Sequence, residues 1–153
     1  MTYLLDTNAI SDLMKAAPRI ENWMAGLNQG DRVVTCTIIR GEVLFGIARL
    51  PAGKRRTELE ETGRQFLAVF HCEPVPERAG DLYAAVKLAR QQRGLGLDEN
   101  DLWVAATALA LGATLVSRDN DFKSIDGLPI VAWRSSQVPL CKAYVRGDDD
   151  TLI

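Results

Sequence analysis

The stretch Tyr3-Leu4-Leu5-Asp6-Thr7-Asn8 decides the fold, because a short apolar run there stops at an acid and at residues that cap helices. Apolar side chains then recur from Ile10 to Ala17 at the i, i+3, i+4 and i+7 spacing of an amphipathic helix. The chain is therefore predicted to open with a strand, a turn and a helix, with Asp6 at the carboxyl end of the strand.

The same alternation continues along the chain. Four further strands are predicted at Arg32–Thr35, Phe70–Cys72, Thr114–Ser117 and Ile130–Ala132. Helices are predicted between them, from a cap at Thr37 to Leu50, from Lys54 to Val69, from Ala79 to Arg93, and from about Asp101 to Gly112. Strands that alternate with helices favour an α/β fold, here a three-layer α/β/α arrangement around a parallel sheet of about five strands.

Size and composition indicate one domain. The chain has 153 residues, of which 47% are hydrophobic and 25% charged, as in ordinary folded proteins. We place the domain at residues 1–133 and a C-terminal tail at 134–153, where the pattern fades towards the acidic run Asp148-Asp149-Asp150. The first residues lack the basic region of a signal peptide, and no apolar run could span a membrane, so a cytoplasmic location is predicted.

The number and spacing of the histidine and cysteine residues exclude several kinds of site. Cys36, Cys72 and Cys141 lie far apart in the sequence, and His71 is the only histidine. Neither a disulfide framework nor a zinc site fits that pattern. A bound metal must therefore take oxygen ligands, which favours Mg²⁺, with Mn²⁺ as the second choice. The net charge of −2 is not typical of a nucleic-acid-binding protein.

Acids follow the predicted strands. In parallel sheets, ligands bind beyond the carboxyl ends of the strands. The acids predicted near that edge are Asp6, Glu42, Asp101, Asp119 and Asp121. Crowded carboxylates repel one another unless a cation lies among them. A histidine-free acid cluster of this kind is suited to metal-assisted phosphoester chemistry.

Each acid also has an ordinary structural explanation. Asp6 could cap the first helix. Asp98 and Asp101 have the spacing of a capping box, with Asp101 at the third helical position. Glu42 could be a surface residue of its helix, and Asp119 could cap a short helix. The functional interpretation therefore depends on all of the acids meeting at one edge of the predicted sheet.

Four motifs, taken in order, resemble those of PIN-domain nucleases. They are Leu4-Leu5-Asp6-Thr7-Asn8, the stretch from Thr37 to Gly46 with its acid at Glu42, the stretch from Asp101 to Leu109, and the stretch from Leu115 to Phe122. The similarity runs from residue 3 to about residue 133. In size, and in having no additional domain, the chain is most similar to the VapC-type toxins of type II toxin–antitoxin systems.

The resemblance implies a set of roles. It implies metal-dependent hydrolysis of RNA, with Asp6 and Asp101 as metal ligands, Glu42 completing the site, and Asp119 as the fourth acid unless Asp121 takes that place. It further implies supporting roles for Thr7, Asn8 and Ser117. As partners it implies a second copy of the chain and an antitoxin that covers the acids. The cations that we expect near the RNA are Arg40 and Arg118.

Other functions remain open at this point. A PIN nuclease of RNA maturation has the same sequence features as a toxin. A non-catalytic domain that holds RNA or a protein partner is a second possibility. The presence of an acid in all four motifs argues against it, because crowded carboxylates are unfavourable unless a metal binds. A phosphatase that begins with a strand ending in Asp needs a second Asp two residues later, where this chain has Asn8.

Overall fold

Five parallel strands form one sheet, as predicted. The computed structural model describes residues 1–133, so the predicted tail at 134–153 lies outside the described residues. The strands are β1 (Thr2–Leu5), β2 (Arg32–Cys36), β3 (His71–Glu73), β4 (Thr114–Val116) and β5 (Ile130–Val131). The helices are α1 (Thr7–Met14), α2 (Pro18–Ala25), α3 (Thr37–Ala48), α4 (Lys54–Val69), α5 (Glu77–Gln92) and α6 (Glu99–Leu111), with a 3-10 helix at Asp121–Ser124.

The strand order β3-β2-β1-β4-β5 places the site. The chain builds outwards from β1 through β2 to β3, and later returns to the other side of β1 with β4 and β5. Because the order reverses beside β1, a crevice is expected between the carboxyl ends of β1 and β4. Asp6 follows β1 and Ser117 follows β4, so both lie at this reversal point.

The central strands are buried. Leu4 pairs with Val34 of β2 and Leu115 of β4, and all three side chains are at most 1% exposed. Helices cover both faces, as expected for a parallel sheet. Their buried contributions to the same core include Ile10, Ile39, Leu67, Val104 and Ala108. Burial of the strands on both faces holds their carboxyl ends in fixed positions.

The first helical region differs from the prediction. One helix was predicted to run to Ala17, but α1 ends at Met14 and Ala17 instead becomes the N-cap of the unpredicted α2. Ala17 has extended backbone angles, φ −68° and ψ 121°. Pro18 explains this difference, because its ring disfavours a helical conformation in the preceding residue and suits the first position of a new helix.

The other predicted helices are all present, although the ends of α3, α5 and α6 differ from the prediction by one or two residues. The polar helix predicted from Lys54 to Val69 has those bounds, and Gly112 ends α6 in the left-handed conformation at φ 60°. Thr37 was predicted to cap α3, but the N-cap is Cys36, which makes no side-chain cap. The Thr37 hydroxyl instead donates a hydrogen bond to the Glu73 carbonyl oxygen of β3, at 3.3 Å.

No helix within residues 1–133 could span a membrane, because each one is too short or too polar to cross a bilayer.

Candidate active site

Asp6 lies at the centre of the site. It directly follows β1 and is the N-cap of α1, so its side chain accepts a hydrogen bond from the Thr7 backbone N–H at 2.6 Å. Its second carboxylate oxygen accepts a hydrogen bond from the Ser117 hydroxyl at 2.7 Å. The side chain is only 4% exposed. Asp6 is therefore both a helix cap and a buried carboxylate at the edge of the sheet.

Glu42 approaches Asp6 from α3. The Thr7 hydroxyl donates a hydrogen bond to Glu42 Oε2 at 2.5 Å, and so joins the first turn of α1 to the middle of α3. Glu42 is half-buried rather than exposed on the surface of its helix. Thr7 thus contacts the two acids in different ways, through its backbone N–H to Asp6 and through its hydroxyl to Glu42.

Asp101 enters from the first turn of α6. The helix is capped by Asp98, whose carboxylate accepts a hydrogen bond from the Asn100 N–H at 2.9 Å. This cap places Asp101 at the third helical position, as the capping-box spacing predicted. Burial, the largest cause, and the negative charges of Asp6, Glu42, Asp98 and Asp119 together raise the pKa of Asp101 to about 7.

Asp119 follows β4 and faces the same group. Its backbone N–H donates a hydrogen bond to the Ser117 hydroxyl at 3.1 Å, and its carboxylate accepts one from the Asp121 N–H at 2.9 Å. Asp121 itself is exposed at the start of the 3-10 helix. The negative charge of Asp119 acts on both Asp6 and Asp101. The structure thus brings Asp119 to the other acids, whereas the exposed Asp121 contacts Asp119 through its backbone N–H.

The charges in this group are not balanced by a basic side chain within residues 1–133. The pKa of Asp6 is raised, mainly by burial and also by the negative charges of Glu42 and Asp119. The hydrogen bonds from Ser117 and Thr7 lower it and offset part of this effect. Over residues 1–133, no lysine, arginine or histidine forms an ion pair with any of the four acids Asp6, Glu42, Asp101 and Asp119. Carboxylates that lie close together without a basic partner are suited to holding a cation.

The spacing of the acids limits how such a cation could bind. In the described part of the chain, no three acidic, histidine or cysteine side chains lie close enough together to form a ligand shell by themselves. A cation held here would therefore keep water molecules in its coordination sphere. Mg²⁺ does so in proteins, where one or two carboxylates and several waters usually complete its octahedron. The donor set therefore fits Mg²⁺ better than an ion that needs a closed protein cage.

The remaining candidate residues lie at or near this edge. Asn8 is half-buried in the first turn of α1, and its side chain makes no hydrogen bond to any described residue. Arg40 is half-buried on α3 and forms no ion pair within residues 1–133. Ser117 is 1% exposed and bridges Asp6 and Asp119 through its hydroxyl.

Arg118 is held by a buried acid that the sequence analysis missed. Its guanidinium donates a hydrogen bond to Asp12 Oδ2 at 2.9 Å and lies over the ring of Trp133. The Trp133 indole N–H donates to the same oxygen at 3.2 Å. Asp12 and Trp133 are both at least nine-tenths buried, and Trp133 belongs to the hydrophobic core. Asp12 belongs to none of the sequence motifs. Its contact with Trp133 depends on the path of the chain after β5.

Comparison with known proteins agrees with this geometry. The family model described as "PIN domain" matches residues 3–128. The chain is 32% identical over 133 residues to VapC ribonuclease Y4jK of Sinorhizobium fredii, which covers 84% of this chain and 94% of that protein. It is 31% identical over 121 residues to the toxin FitB of Neisseria gonorrhoeae, over 76% of this chain and 86% of the relative. The solved structure of VapBC-1 from nontypeable Haemophilus influenzae superposes with a TM-score of 0.79 and 26% identity, over 88% of this chain and the whole of that one.

Proposed function

Because the chain belongs to the PIN-domain family, we propose that it is a Mg²⁺-dependent endoribonuclease and the toxin of a type II toxin–antitoxin pair. The observation that carries the proposal is the group of four carboxylates at the carboxyl edge of the sheet, which lacks a basic partner within residues 1–133. Relatives named as a VapC ribonuclease and as a toxin support the choice of RNA as substrate and of a toxin as the biological role.

Each acid has a proposed role. Asp6 and Asp101 would hold Mg²⁺, with Mn²⁺ as a possible substitute, and Glu42 and Asp119 would orient water around it. Bound Mg²⁺ would activate a water molecule and offset the charge that develops on the phosphate. Asp6 is best suited as a fixed ligand, because two hydrogen bonds orient its carboxylate. Hydrolysis would leave a 5′-phosphate and a 3′-hydroxyl.

Supporting residues would keep the carboxylates in place. Thr7 orients Glu42 through its hydroxyl, and Ser117 orients Asp6 while accepting the Asp119 N–H. Asn8 lies one residue further along α1, where its amide could contact the substrate. Residues of this kind usually change metal affinity or activity by about 10- to 100-fold when they are altered.

The RNA-binding role is assigned to Arg40 in preference to Arg118. Arg40 forms no ion pair within the described residues and lies two residues before Glu42, so it is available for a phosphate. Arg118 is one-third exposed and already pairs with Asp12, so it would contact RNA only with the exposed part of its guanidinium. Phosphate contacts of this kind position a nucleic acid without reading its sequence.

The proposed partners follow from family membership. A cognate antitoxin would cover the acids, and the chain would act as a homodimer in the cytoplasm. The solved VapBC-1 structure supports the antitoxin, because its name pairs this kind of chain with a second protein. A nuclease of RNA maturation would have the same site but no antitoxin.

Cleavage of a mixed RNA pool by the purified protein tests the proposal. We expect cutting with Mg²⁺, none with EDTA, and none with Asp6→Asn, which keeps the size of the side chain but removes its charge. Equal cutting by the variant and the wild type would show that a contaminating nuclease or another site is responsible. Binding of RNA with no cutting under any metal condition would instead favour the non-catalytic binding module.

A further inference from the structure

Arg90 is a buried cation for which residues 1–133 supply no anionic partner. It lies near the C-terminal end of α5 and is only 4% exposed. Within residues 1–133 it forms no ion pair, and its Nε–H has no hydrogen-bond partner. Burying a charge without a counterion is unfavourable, and an apolar side chain of similar size usually gives a more stable core. The presence of arginine here therefore calls for an explanation other than packing.

The guanidinium joins two separate segments of the chain. Its Nη2 donates a hydrogen bond to the Gly96 carbonyl oxygen at 2.5 Å, in the loop before α6. Its Nη1 donates to the Asp121 carbonyl oxygen at 3.3 Å and also to the Ser124 hydroxyl, in the 3-10 helix after β4. Only the planar fork of an arginine presents several donors in fixed directions that can serve two segments together.

Both segments lead directly to acids of the site. Gly96 lies two residues before Asp98, which caps α6 and so sets the position of Asp101. On the other side, the Asp121 N–H donates to the Asp119 carboxylate.

Hydrogen bonds continue from there to the centre of the site. The Asp119 N–H donates to the Ser117 hydroxyl, and that hydroxyl donates to Asp6. A continuous series of contacts therefore runs from Arg90 to Asp6, and a second branch runs from Arg90 to the helix that carries Asp101.

We propose that Arg90 is a positioning residue, which sets the separation of Asp101 and Asp119 by tying the loop before α6 to the segment after β4. The inference rests on the proposed function, since that separation matters only if the acids hold a metal ion. It requires no contact between Arg90 and either the metal or the RNA. Loss of the fork would leave each segment folded but free to shift relative to the other.

The neighbouring Arg93 provides a matched control. It lies just after α5, and its guanidinium donates to the Ser124 carbonyl oxygen at 3.0 Å. Arg93 is the first residue of the loop before α6 and contacts the segment after β4, but it makes no hydrogen bond to Gly96, and its side chain is half exposed. Arg93→Met removes a cation from the same region of the fold but leaves intact the link that Arg90 makes between Gly96 and the segment after β4.

The experiment measures Mn²⁺ binding by calorimetry, with Mn²⁺ as the metal probe, together with kcat and KM for RNA cleavage. The proteins are the wild type, Arg90→Met, Arg90→Lys and Arg93→Met, all studied well below their melting temperatures. We expect Arg90→Met to weaken Mn²⁺ binding about 10- to 100-fold and to lower kcat with little change in KM. Arg90→Lys should recover only part of the loss, because a single ammonium group cannot reproduce the fork. Arg93→Met should bind Mn²⁺ like the wild type.

The outcomes separate this inference from the proposed function. If the wild type neither binds Mn²⁺ nor cuts RNA, the proposed function fails. If the wild type does both and folded Arg90→Met or Arg90→Lys matches it in Mn²⁺ affinity and kcat, the positioning role is refuted. An equal loss in Arg93→Met would also refute it, because the effect would then not depend on the link. Should Arg90→Met fail to fold, the Mn²⁺ affinity of Arg90→Lys decides.

Discussion

The Ser117 hydroxyl donates a hydrogen bond to the Asp6 carboxylate at 2.7 Å, between residues that are 111 positions apart in the chain. The same oxygen accepts the Asp119 N–H, so replacing Ser117 by Ala removes one partner from the buried Asp6 carboxylate and one from the half-buried Asp119 N–H. We expect Ser117→Ala to lower the free energy of unfolding by about 1–3 kcal/mol, as measured by urea denaturation. Cleavage should fall about 10- to 100-fold, because Asp6 loses one of its two orienting bonds.

A hydroxyl deleted elsewhere serves as the control for Ser117. Thr57 donates its hydroxyl to the Gly53 carbonyl oxygen at the start of α4, in an exposed position. Thr57→Val should leave RNA cleavage unchanged. Wild-type cleavage by folded Ser117→Ala would contradict the role given to this hydrogen bond.

Thr7 allows a second pair of matched variants. Its hydroxyl donates to Glu42 at 2.5 Å, and Val has nearly the same shape without a donor. We expect Thr7→Val to lower kcat about tenfold or more while Thr7→Ser stays close to the wild type. Single-turnover cleavage measures both variants. Equal rates for Val and Ser would mean that the Thr7 hydroxyl does not orient Glu42 during the reaction.

The raised pKa of Asp101 predicts how stability depends on pH in the metal-free protein. The folded state keeps this proton up to about pH 7, whereas the unfolded chain releases it near 3.8. Between these values the folded state binds more protons, so the free energy of unfolding falls as pH rises from about 4 to about 7. Asp101→Asn should remove this dependence and be more stable than the wild type at pH 8 in EDTA.

The size of the Asp101 effect is limited by its partial exposure. After screening by solvent we expect about 1 kcal/mol between the variant and the wild type at pH 8, measured by urea denaturation. Asp81→Asn on the exposed face of α5 changes the net charge equally and provides the control. A stability gain for Asp101→Asn that is as large at pH 4 as at pH 8 would contradict the assignment.

The two candidate RNA-binding arginines should behave differently. Arg118→Gln removes the cation beside the buried Asp12, so the free energy of unfolding should fall by about 1–3 kcal/mol. Arg40→Gln should leave the free energy of unfolding unchanged and raise KM. The slope of log binding constant against log salt concentration should become shallower by an amount equal to about one phosphate contact. Filter binding at several salt concentrations gives that slope. An unchanged slope for Arg40→Gln would remove Arg40 from the interface.

Local sequence patterns predicted most of the fold. The alternation of apolar runs with amphipathic segments indicated all five strands and most of the helices, because each pattern reports which face is buried. α2 was missed because the apolar spacing continues past Met14, while the break depends on the conformation that Pro18 imposes on Ala17. Backbone preference, not apolar spacing, decided that boundary.

The acids at the edge of the sheet could also be predicted, and the resemblance pointed to Thr7 and Ser117 beside them, but two further charged residues were missed. Asp6, Glu42, Asp101 and Asp119 follow elements whose positions the topology sets, and the structure brings them together. Asp12 and Arg90 have no such signal. Each is a charged residue in a helix, and its burial depends on segments more than 30 positions away. Long-range contacts of this kind are not encoded in local periodicity.

The strand order also determines when the protein can act. On a translating ribosome, β1 and its Asp6 emerge early. Its neighbour in the sheet, β4, is among the last parts of the domain to be made. Until Thr114–Val116 has paired with β1, Asp6 lacks the Ser117 hydroxyl, and Asp119 has no fixed place beside it. Under the proposed function, the site is therefore incomplete until β4 has been made and has joined the sheet beside β1.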